Sequence, residues 1–520
     1  MISKSRQFPI GEQNFSNIIS QEMTYIDKTA LIYQIVSKSG KYFFFRPRRF
    51  GKSLLLSTMK YYFEGEKELF KGLTIEKLET EWKKRPVIYL DLSRGRTIDM
   101  SSLMSMIDKN LSEYEEVYHI KTKDTDSFST RLTTIIQAAH KTTGEQVVVL
   151  IDEYDAPVLD ALGNDTFKIQ VRNMVRDLYS PLKAQAQHLW FVFLTGITKF
   201  SQLSIFSELN NLTDISMDRR FVEICGITEN EIRENLDEDV ALLAQENGLT
   251  KDECYAKLKE FYDGYHFRPN SIGIYNPFSL LNALDKKEFK SYWFESGTPT
   301  ALVVTMQKNN YSLEDLSNIE ATDQLLGSVD SEEVSPIPLI YQSGYLTIKG
   351  YDEEFGTYRL GFPNKEVSEG FTKFLLPYYS PVSKGQEAFF VVNFVKEIRQ
   401  GKPKAFMKRL EELFADNNYQ IIGDAEKYFH NAIYIIFKML GFYVEVEHAT
   451  SDGRMDLLMK TKDYIYILEF KINDSAETAL KQIEDKQYAL PFGTDNRQLY
   501  KIGINFSTET RKIDGWKIKE

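Results

Sequence analysis

Cysteine is scarce in this chain, which has only Cys225 and Cys254 among 520 residues. Two distant cysteines outside any histidine and cysteine cluster exclude a disulfide framework and a structural zinc site. Long apolar runs are also missing, and the longest, such as LWFVFLTGI at Leu189–Ile197, are too short to cross a bilayer. The N-terminus has no apolar core of a signal peptide. We therefore expect a protein of the reducing cytoplasm, neither secreted nor embedded in a membrane.

The chain also lacks an excess of positive charge. Its 64 lysines and arginines stand against 75 aspartates and glutamates, so the net charge is -11. No global field attracts a phosphate backbone, and any contact with nucleic acid must be local. What is present, 42% hydrophobic and 27% charged residues, is typical of a globular protein that folds throughout. The length predicts about three domains of roughly 100 to 200 residues each.

Short apolar runs, each followed by a charged helical stretch, organise the first part of the chain. Runs that are apolar on both faces are typical of strands in a buried parallel sheet. They predict an α/β domain over residues 1–225. The runs are YFFF (42–45), VIYLDL (87–92), VVVLID (147–152) and LWFVFLTG (189–196).

The rest of the chain divides into two further regions. Residues 226–410 are mainly helical in pattern and predict a lid or connector, with a candidate hairpin at Ser343–Pro363. Residues 411–520 predict a separate domain in the order αβββαβ. Its predicted elements are a helix at 426–440, strands at 442–447, 454–460 and 464–471, a helix at 474–489 and a strand at 499–506.

One loop has the context of a phosphate-binding loop but lacks its first glycine. RPRRFGKS connects the YFFF run to a helix-favouring stretch, so that backbone amides at the helix start would face an anion. Gly51 would allow close approach of the backbone, Lys52 would reach the phosphates, and Ser53 would ligate Mg²⁺. Arg46 occupies the usual glycine position, and Pro47 pushes it toward an extended conformation, which predicts rigidity from an Arg-Pro pair.

Positive charge in this loop favours a polyanion. Arg46, Arg48, Arg49 and Lys52 lie within one short segment, and a charge pair at ~4 Å is worth about 4 kcal/mol at an effective dielectric near 20. The alternative is a basic surface loop before an amphipathic helix. A second motif decides for a nucleotide site, because VVVLIDEYD places Asp152 and Glu153 at the end of an apolar strand. There, Asp152 would hold Mg²⁺ through water, and Glu153 would polarise the attacking water.

Further candidates near this motif have two interpretations. A hydroxyl of Thr195 or Thr198 would sense the terminal phosphate, or Gly196 simply forms a strand-terminal turn. Arg219 and Arg220 would stabilise developing charge, or they are ordinary exposed arginines. The sequence leaves both pairs of interpretations open.

The C-terminal region carries a second set of charged residues. Asp456 lies in one predicted strand, and Glu469 and Lys471 share a face of the next because they are two residues apart. Asp456 and Glu469 suit a Mg²⁺ ion, and Lys471 would orient water and neutralise charge on a phosphorus under attack. This is phosphodiester hydrolysis in outline. The alternative is a surface Glu-Lys pair at a sheet edge.

Several segments together resemble the bacterial AAA-ATPase-like family that ends in a PD-(D/E)XK nuclease domain. The resemblance covers nearly the whole chain, and in that family the glycine-poor loop is the normal form. The segments in the first half are TYIDKTALI (24–32), YFFFRPRRFGKSLLLSTMKYYFEG (42–65), VVVLIDEYDAP (147–157), LTGITKFSQLSIFSELNNLTDIS (194–216) and FYDGYHF (261–267). The segments in the second half are AEKYFHNAIYIIFKMLGF (425–442), SDGRMDLLMK (451–460), IYILEFK (465–471) and ALKQIEDKQYA (479–489).

The resemblance implies a P-loop core whose nucleotide motifs include Lys52, Ser53, Asp152 and Glu153. It also implies that Glu426 contributes or holds a metal ligand and that Gln482 orients the nuclease site, although a helix-start acid and an exposed glutamine are the simpler interpretations. We therefore predict an ATP-binding protein and ATPase coupled to a Mg²⁺-dependent nuclease that acts on nucleic acid, with DNA favoured. The alternative is a nucleotide-dependent switch whose nuclease-like domain binds without cleaving. Assembly into a homo-oligomer stays open.

Overall fold

The computed structural model of the chain divides into two compact units. The first comprises Met1–Thr305 and Ile319–Val367, and the second comprises Met306–Asn318 and Ser368–Glu520. The residues described are 6–123, 125–162, 164–200, 212–294, 302–303, 306, 311, 313, 316, 319–327, 335–379, 387–415, 425–441, 443–448 and 457–520. The predicted borders of three domains, at 225/226 and 410/411, stay predictions.

A five-stranded parallel sheet forms the centre of the first unit, with strands in the order β2-β3-β4-β1-β5. All four strands expected from the apolar runs are present. The short β5, which pairs with β1, is an addition that its sequence does not signal. The strands are β1 (Gly40–Phe45), β2 (Val87–Asp91), β3 (Val147–Asp152), β4 (Leu189–Gly196) and β5 (Leu212–Asp214).

Helices cover this sheet because its central strands are apolar on both faces. Every residue of β3 is buried, and Val147, Val149 and Ile151 share one core with apolar residues of Met100–Val117, Phe128–Thr143 and Asp165–Tyr179. The helix Lys52–Phe63 also packs by its buried face, with the ring centres of Phe63 and Phe191 5.0 Å apart in a tilted contact. Among the described residues, the helices before β5 are Phe15–Ser20, Thr29–Val36, Lys52–Phe63, Ile75–Leu78, Met100–Val117, Phe128–Thr143, Ala156–Asp160, Asp165–Tyr179 and Pro181–Ala184.

The remainder of the first unit is mainly helical, as predicted. Its helices Asp237–Glu246, Lys251–Tyr262 and Pro277–Lys286 build a separate apolar core. A small antiparallel sheet follows, in the order β6-β8-β7, and it contains the hairpin predicted at Ser343–Pro363. The elements are the helices Glu229–Asn235, Asp237–Glu246, Lys251–Tyr262, Pro277–Lys286, Asp323–Leu326 and Ile337–Gln342, and the strands β6 (Ile319–Thr322), β7 (Thr347–Asp352) and β8 (Thr357–Gly361).

The second unit holds a mixed sheet in the order β13-β12-β11-β10-β9. β10 and β11 are antiparallel neighbours, and β11 pairs in parallel with β12 across the helix Ala476–Asp485. This is the predicted αβββαβ order with one strand added at its end. The elements are the helices Lys365–Tyr379, which begins in the first unit, Glu387–Arg399, Pro403–Ala415, Ala425–Leu440 and Ala476–Asp485, and the strands β9 (Glu445–His448), β10 (Leu457–Lys460), β11 (Tyr464–Ile472), β12 (Gln498–Ser507) and β13 (Lys512–Lys519).

In the part of the chain that the structure describes, we find no helix with the length and apolar character needed to span a membrane.

Candidate nucleotide and nuclease sites

The loop after β1 leads directly into the Lys52–Phe63 helix, and two of its residues have left-handed backbone. Gly51 has φ 92° and Arg49 has φ 69°. Glycine adopts this conformation without steric cost, whereas arginine pays a penalty that the surrounding structure must offset. A Cβ added at position 51 would meet no atom within 4 Å. The left-handed backbone, and not a lack of space, is therefore the reason for glycine at this position. The left-handed backbone of Arg49 indicates that the surrounding structure holds the loop in an uncommon conformation.

Lys52 is buried at the start of its helix. Its side chain is 3% exposed, and its Nζ donates to the carbonyl oxygen of Pro47 at 3.3 Å. The same Nζ lies 3.3 Å from Oε1 of Glu153. The structure thus brings together the cation of the loop and an acid of the second motif, which the sequence predicts as one site.

Asp152 ends β3 as a buried carboxylate with several donors around it. Oδ2 accepts a hydrogen bond from the Tyr89 hydroxyl at 3.0 Å, and Oδ1 accepts from the Glu153 backbone at 3.0 Å. Burial, and then the neighbouring charge of Glu153, raise the pKa of Asp152 to about 6, although Ser53 and Lys52 act in the opposite direction. Strong desolvation beside a cation is typical of functional carboxylates.

Glu153 and Ser53 complete the predicted set. Glu153 also has left-handed backbone, with φ 48°, and non-glycine residues in this conformation cluster at functional sites. Ser53, at the helix start, lies close enough to Asp152 for its hydroxyl to favour the charged form of that carboxyl and lower its pKa. A hydroxyl beside a carboxylate provides the hard oxygen ligands and the water-mediated contact that Mg²⁺ uses near phosphates. The residues present therefore fit this ion, with Ser53 and Asp152 as the groups that would hold it.

Asp155 is a buried acid that the sequence analysis missed, although the second aspartate of VVVLIDEYD was the available signal. Its Oδ2 accepts from the backbone of Ile197 at 3.0 Å and of Thr198 at 2.6 Å, and from the Thr198 hydroxyl at 2.5 Å. Burial and the charge of Glu153 raise the pKa of Asp155 to about 6 against these hydrogen bonds. Gly196 is required beside it, because a Cβ there would lie 2.2 Å from Oδ1 of Asp155.

These contacts bear on the other candidates near the motif. The Thr198 hydroxyl donates to Asp155, whereas the Thr195 hydroxyl is buried and has no hydrogen-bond partner among the described residues, so both interpretations of this pair stay open. Arg220 pairs with Asp218 at 2.6 Å and its side chain is 66% exposed. It has the features of the ordinary exposed arginine that the sequence left open.

Arg46 differs from its expected role. The sequence predicts that its charge adds to that of Arg48, Arg49 and Lys52, whereas the structure leaves Arg46 only 1% exposed, with its guanidinium inside the first unit. It stacks 3.8 Å from the Phe267 ring and 4.4 Å from the Phe44 ring. The guanidinium also donates to the carbonyl oxygens of Phe45, Ser216 and Phe221, which satisfies its donors inside the protein.

A cavity of about 610 Å³ lies against this loop, within the first unit. Cations from two segments line it, Arg48, Arg49 and Lys52 from the loop and Arg94 and Arg96 from the residues after β2. The second pair was missed, although the carboxyl ends of parallel strands meet at one edge of a sheet and VIYLDLSRGR places arginines there. A small polyanion would find positive charge on two sides of the cavity.

The same cavity has an apolar wall that the sequence did not predict. Ile10 lines it from the N-terminal segment, and Phe278 and Leu281 line it from the helix Pro277–Lys286. The Arg49 guanidinium lies 4.7 Å from the centre of the Phe278 ring. A cavity with charge at one part and an aromatic, apolar wall at another suits a ligand that is both anionic and flat.

The second unit brings together three predicted polar residues. Glu469 and Lys471 lie two apart on β11, and Gln482 lies on the helix that follows. The Lys471 Nζ donates to Oε1 of Gln482 at 2.6 Å and lies 3.3 Å from Oε1 of Glu469. Glu469 is 1% exposed and Lys471 is 24% exposed, so the acid is enclosed while the amine reaches solvent.

Two predicted members of this set cannot be placed. Asp456 lies outside the described residues, which resume at Leu457, paired with Leu468 in the predicted hairpin of β10 and β11. Glu426 lies in the helix Ala425–Leu440, and only its backbone is described. Among the described side chains, no group of three histidines, cysteines, aspartates or glutamates is arranged to hold a metal. Glu469 is one carboxylate that fits such an ion, and the others stay predictions.

Comparison with known proteins agrees with this geometry. Residues 9–206 match the family described as "Predicted AAA-ATPase", and residues 424–516 match the PD-(D/E)XK nuclease superfamily. The chain is 34% identical over 527 residues to the protein described as "Uncharacterized protein in vnfD 5'region" of Azotobacter chroococcum mcd 1, with 99% of both chains covered. The chain belongs to the bacterial family that joins an AAA-ATPase-like domain to a PD-(D/E)XK nuclease-superfamily domain.

Among solved structures, the Aeropyrum pernix ORC1 protein in complex with DNA is similar at 10% identity and a TM-score of 0.26, covering 66% of this chain and 92% of that one. AMPPCP-bound DnaA from Aquifex aeolicus is similar at 12% identity and a TM-score of 0.25, covering 73% and 92%. The fold assignment rests on the strand order and on the family matches.

Proposed function

We propose that the first unit binds ATP with Mg²⁺ in the cavity beside Lys52 and hydrolyses it. The observation that carries this proposal is the convergence of Lys52, Ser53, Asp152 and Glu153 at one edge of a parallel sheet. Lys52 would pair with the β- and γ-phosphates, and Ser53 and Asp152 would hold Mg²⁺, which neutralises phosphate charge when bound. Glu153 would take a proton from the attacking water.

The lining of the cavity supports a nucleoside triphosphate over a simpler anion. Phe278 and Leu281 offer an apolar surface to a base, while Arg48, Arg49 and Arg96 add charge for the phosphates. Base stacking on an aromatic ring and charge-assisted hydrogen bonds to phosphate then act on one ligand.

We further infer that the second unit is a Mg²⁺-dependent nuclease, acting on nucleic acid with DNA as the favoured substrate. The enclosed Glu469 would contribute to metal binding together with Asp456. Lys471, fixed by Gln482 at 2.6 Å, would orient water and stabilise negative charge on the phosphorus. ATP binding or hydrolysis in the first unit would regulate this cleavage. We also propose that the protein acts in the cytoplasm and that its three domains comprise residues 1–225, 226–410 and 411–520.

One experiment tests both halves. Purified protein is incubated with Mg²⁺ or Mn²⁺ and with DNA or RNA of varied structure, with and without ATP, beside Lys52→Ala and Lys471→Ala. We expect Lys52→Ala to lose ATP binding and Lys471→Ala to lose cleavage while it still binds ATP. Unchanged ATP affinity of Lys52→Ala would refute the nucleotide site. ATP hydrolysis by the wild type without cleavage of any substrate would favour the nucleotide-dependent switch instead.

A further inference from the structure

Arg46 stands where a phosphate-binding loop usually has glycine, and its side chain anchors the loop to other segments of the first unit. The Arg46 guanidinium donates to the carbonyl oxygens of Ser216 at 2.7 Å, Phe45 at 3.0 Å and Phe221 at 3.4 Å. Its flat face lies 3.8 Å from the centre of the Phe267 ring. A planar, always charged group can donate to carbonyls and stack on a ring at once, which a lysine ammonium cannot do.

Phe50, just before Gly51, is held by the same part of the first unit. Its ring lies 4.8 Å from Tyr265 and 5.4 Å from Phe267, both in edge-to-face contact. Its carbonyl oxygen accepts from the backbone of Gly226 at 3.2 Å. The segment FYDGYHF (261–267), which no catalytic step uses, thus packs against both ends of the RPRRF segment.

Two more contacts fix the residues between Arg46 and Phe50. The Trp293 Nε1 donates to the carbonyl oxygen of Arg48 at 3.1 Å. Gly344 lies against Pro47 so closely that a Cβ added to the glycine would be 2.5 Å from Cβ of Pro47. Arg46, Pro47, Arg48 and Phe50 are therefore each anchored by residues far along the chain.

We propose that four positioning residues hold the phosphate loop in the conformation that binds ATP: Arg46, Phe267, Trp293 and Gly344. The affinity for ATP then depends on residues that touch no nucleotide. The inference rests on the proposed function of the first unit. Its physical basis is Arg49, because a non-glycine residue in left-handed backbone persists only where the surrounding structure enforces it. Releasing an anchor would let Arg49 relax and would move the amides and Lys52 away from the phosphates.

The first test compares two arginines that both stack on an aromatic ring in the first unit. Arg85 lies 3.9 Å from the Trp190 ring but is not part of the cavity lining or of the loop, so Arg85→Met is the matched control for Arg46→Met. ATP affinity is measured by titration with a fluorescent ATP analogue and Mg²⁺, and folding by circular dichroism and thermal melting. We expect Arg46→Met to raise the Kd for the analogue at least tenfold and Arg85→Met to raise it less than twofold. Arg46→Lys should restore only part of the affinity.

The second test compares two glycines with left-handed backbone. Gly344→Ala should drive a methyl group into Pro47 and raise the Kd several-fold, whereas Gly356→Ala has its nearest atom at 3.9 Å and should leave the Kd unchanged. Both substitutions place a Cβ on left-handed backbone, and thermal melting of each variant separates a loss of ATP affinity from a loss of stability. Trp293→Phe, which keeps a ring and removes the Nε1 donor, should raise the Kd about two- to fivefold, the loss of one neutral hydrogen bond.

The outcomes separate this inference from the proposed function. If the wild type does not bind ATP, the proposed function fails. If the wild type binds ATP and folded Arg46→Met and Gly344→Ala bind it equally well, the positioning role is overturned. Should Arg46→Met fail to fold, the two glycine variants decide alone: selective weakening by Gly344→Ala supports the role, and equal affinity refutes it.

Discussion

Lys52 in the first unit and Lys471 in the second each lie beside a glutamate at 3.3 Å, yet their surroundings differ. Lys52 is 3% exposed, and its glutamate follows a different strand. Lys471 is 24% exposed and finds its partners two and eleven residues away in the sequence. An enclosed lysine suits a small ligand that fills a cavity, whereas a partly exposed one is reachable by a polymer.

The difference indicates how each site depends on the rest of its unit. The site in the first unit needs a loop, two strand ends and the residues behind them to be in place together. The pair in the second unit is built by one strand and completed by the next helix. We therefore expect distant substitutions to affect ATP binding more than they affect the arrangement of Lys471.

Glu153→Gln is the sharpest test of the division between binding and turnover. Removal of the general base should lower the rate of ATP hydrolysis about a thousandfold, within the range typical of such groups. ATP binding should persist, because Lys52 keeps its charge and loses only a competing acid. Single-turnover hydrolysis and equilibrium binding measure the two effects separately. Glu145→Gln, which alters an acid paired with Lys83 outside the cavity, should change neither, and unchanged hydrolysis in Glu153→Gln would refute the assignment.

Gln482→Leu tests the local construction of the second site. Loss of the acceptor 2.6 Å from Lys471 should lower the cleavage rate about 10- to 100-fold, as expected when a group that orients a catalytic residue is removed. Gln482→Glu keeps an acceptor at this position and should recover part of the activity. ATP affinity should be unaffected in both. Full cleavage by a folded Gln482→Leu would show that Lys471 does not need this partner.

Asp152→Asn should remove a proposed Mg²⁺ ligand and stabilise the folded state. The pKa of Asp152 in the folded state is raised from 3.8 to about 6, first by burial and then by Glu153. Between these values the folded state holds a proton that the unfolded state has lost, so stability falls as pH rises through this window and stays lower above it. Asp152→Asn removes this penalty and, without Mg²⁺, should raise the free energy of unfolding at pH 8 by on the order of 2 kcal/mol.

Urea denaturation at several pH values measures this effect. The gain from Asp152→Asn should shrink as the pH falls from about 6 toward 3.8 and vanish only well below 3.8, where the wild-type carboxyl is protonated in both states. Asp218→Asn should instead lower the free energy of unfolding. Arg220 lowers the pKa of Asp218, so the charged form of Asp218 stabilises the folded state at pH values above the unfolded pKa. A loss of stability at pH 8 in Asp152→Asn would contradict the raised pKa.

Arg96→Ala should give the smallest effect. Arg96 lines the cavity from the segment after β2, and an exposed cation facing phosphate in water contributes modestly and is screened by salt. We expect a two- to fivefold rise in the Kd for ATP at low salt that diminishes at high salt. Arg220→Ala, which removes an exposed arginine paired with Asp218, should have no effect. Equal Kd values for the two variants would place Arg96 outside the phosphate contacts.

Local patterns were enough to predict much of both sites. The four long strands of the first sheet follow from apolar runs, and the loop Gly51-Lys52-Ser53 follows from its place between a strand and a helix. Glu469 and Lys471 share a face because alternate residues of any strand do. Asp155 and the arginines after β2 were available in the same patterns but were not recognised.

The residue types at the two sites, and their positions on strand, loop and helix, can be predicted from the sequence because they depend on neighbours a few residues apart. Three features appear only in the folded chain: Arg46 points inward onto Phe267, Phe278 forms an apolar wall, and Gly344 packs against Pro47. Each of these contacts joins segments far apart in the chain. These contacts form because burial of the apolar cores brings the segments together. A pattern of neighbouring residues does not show which distant segments will meet.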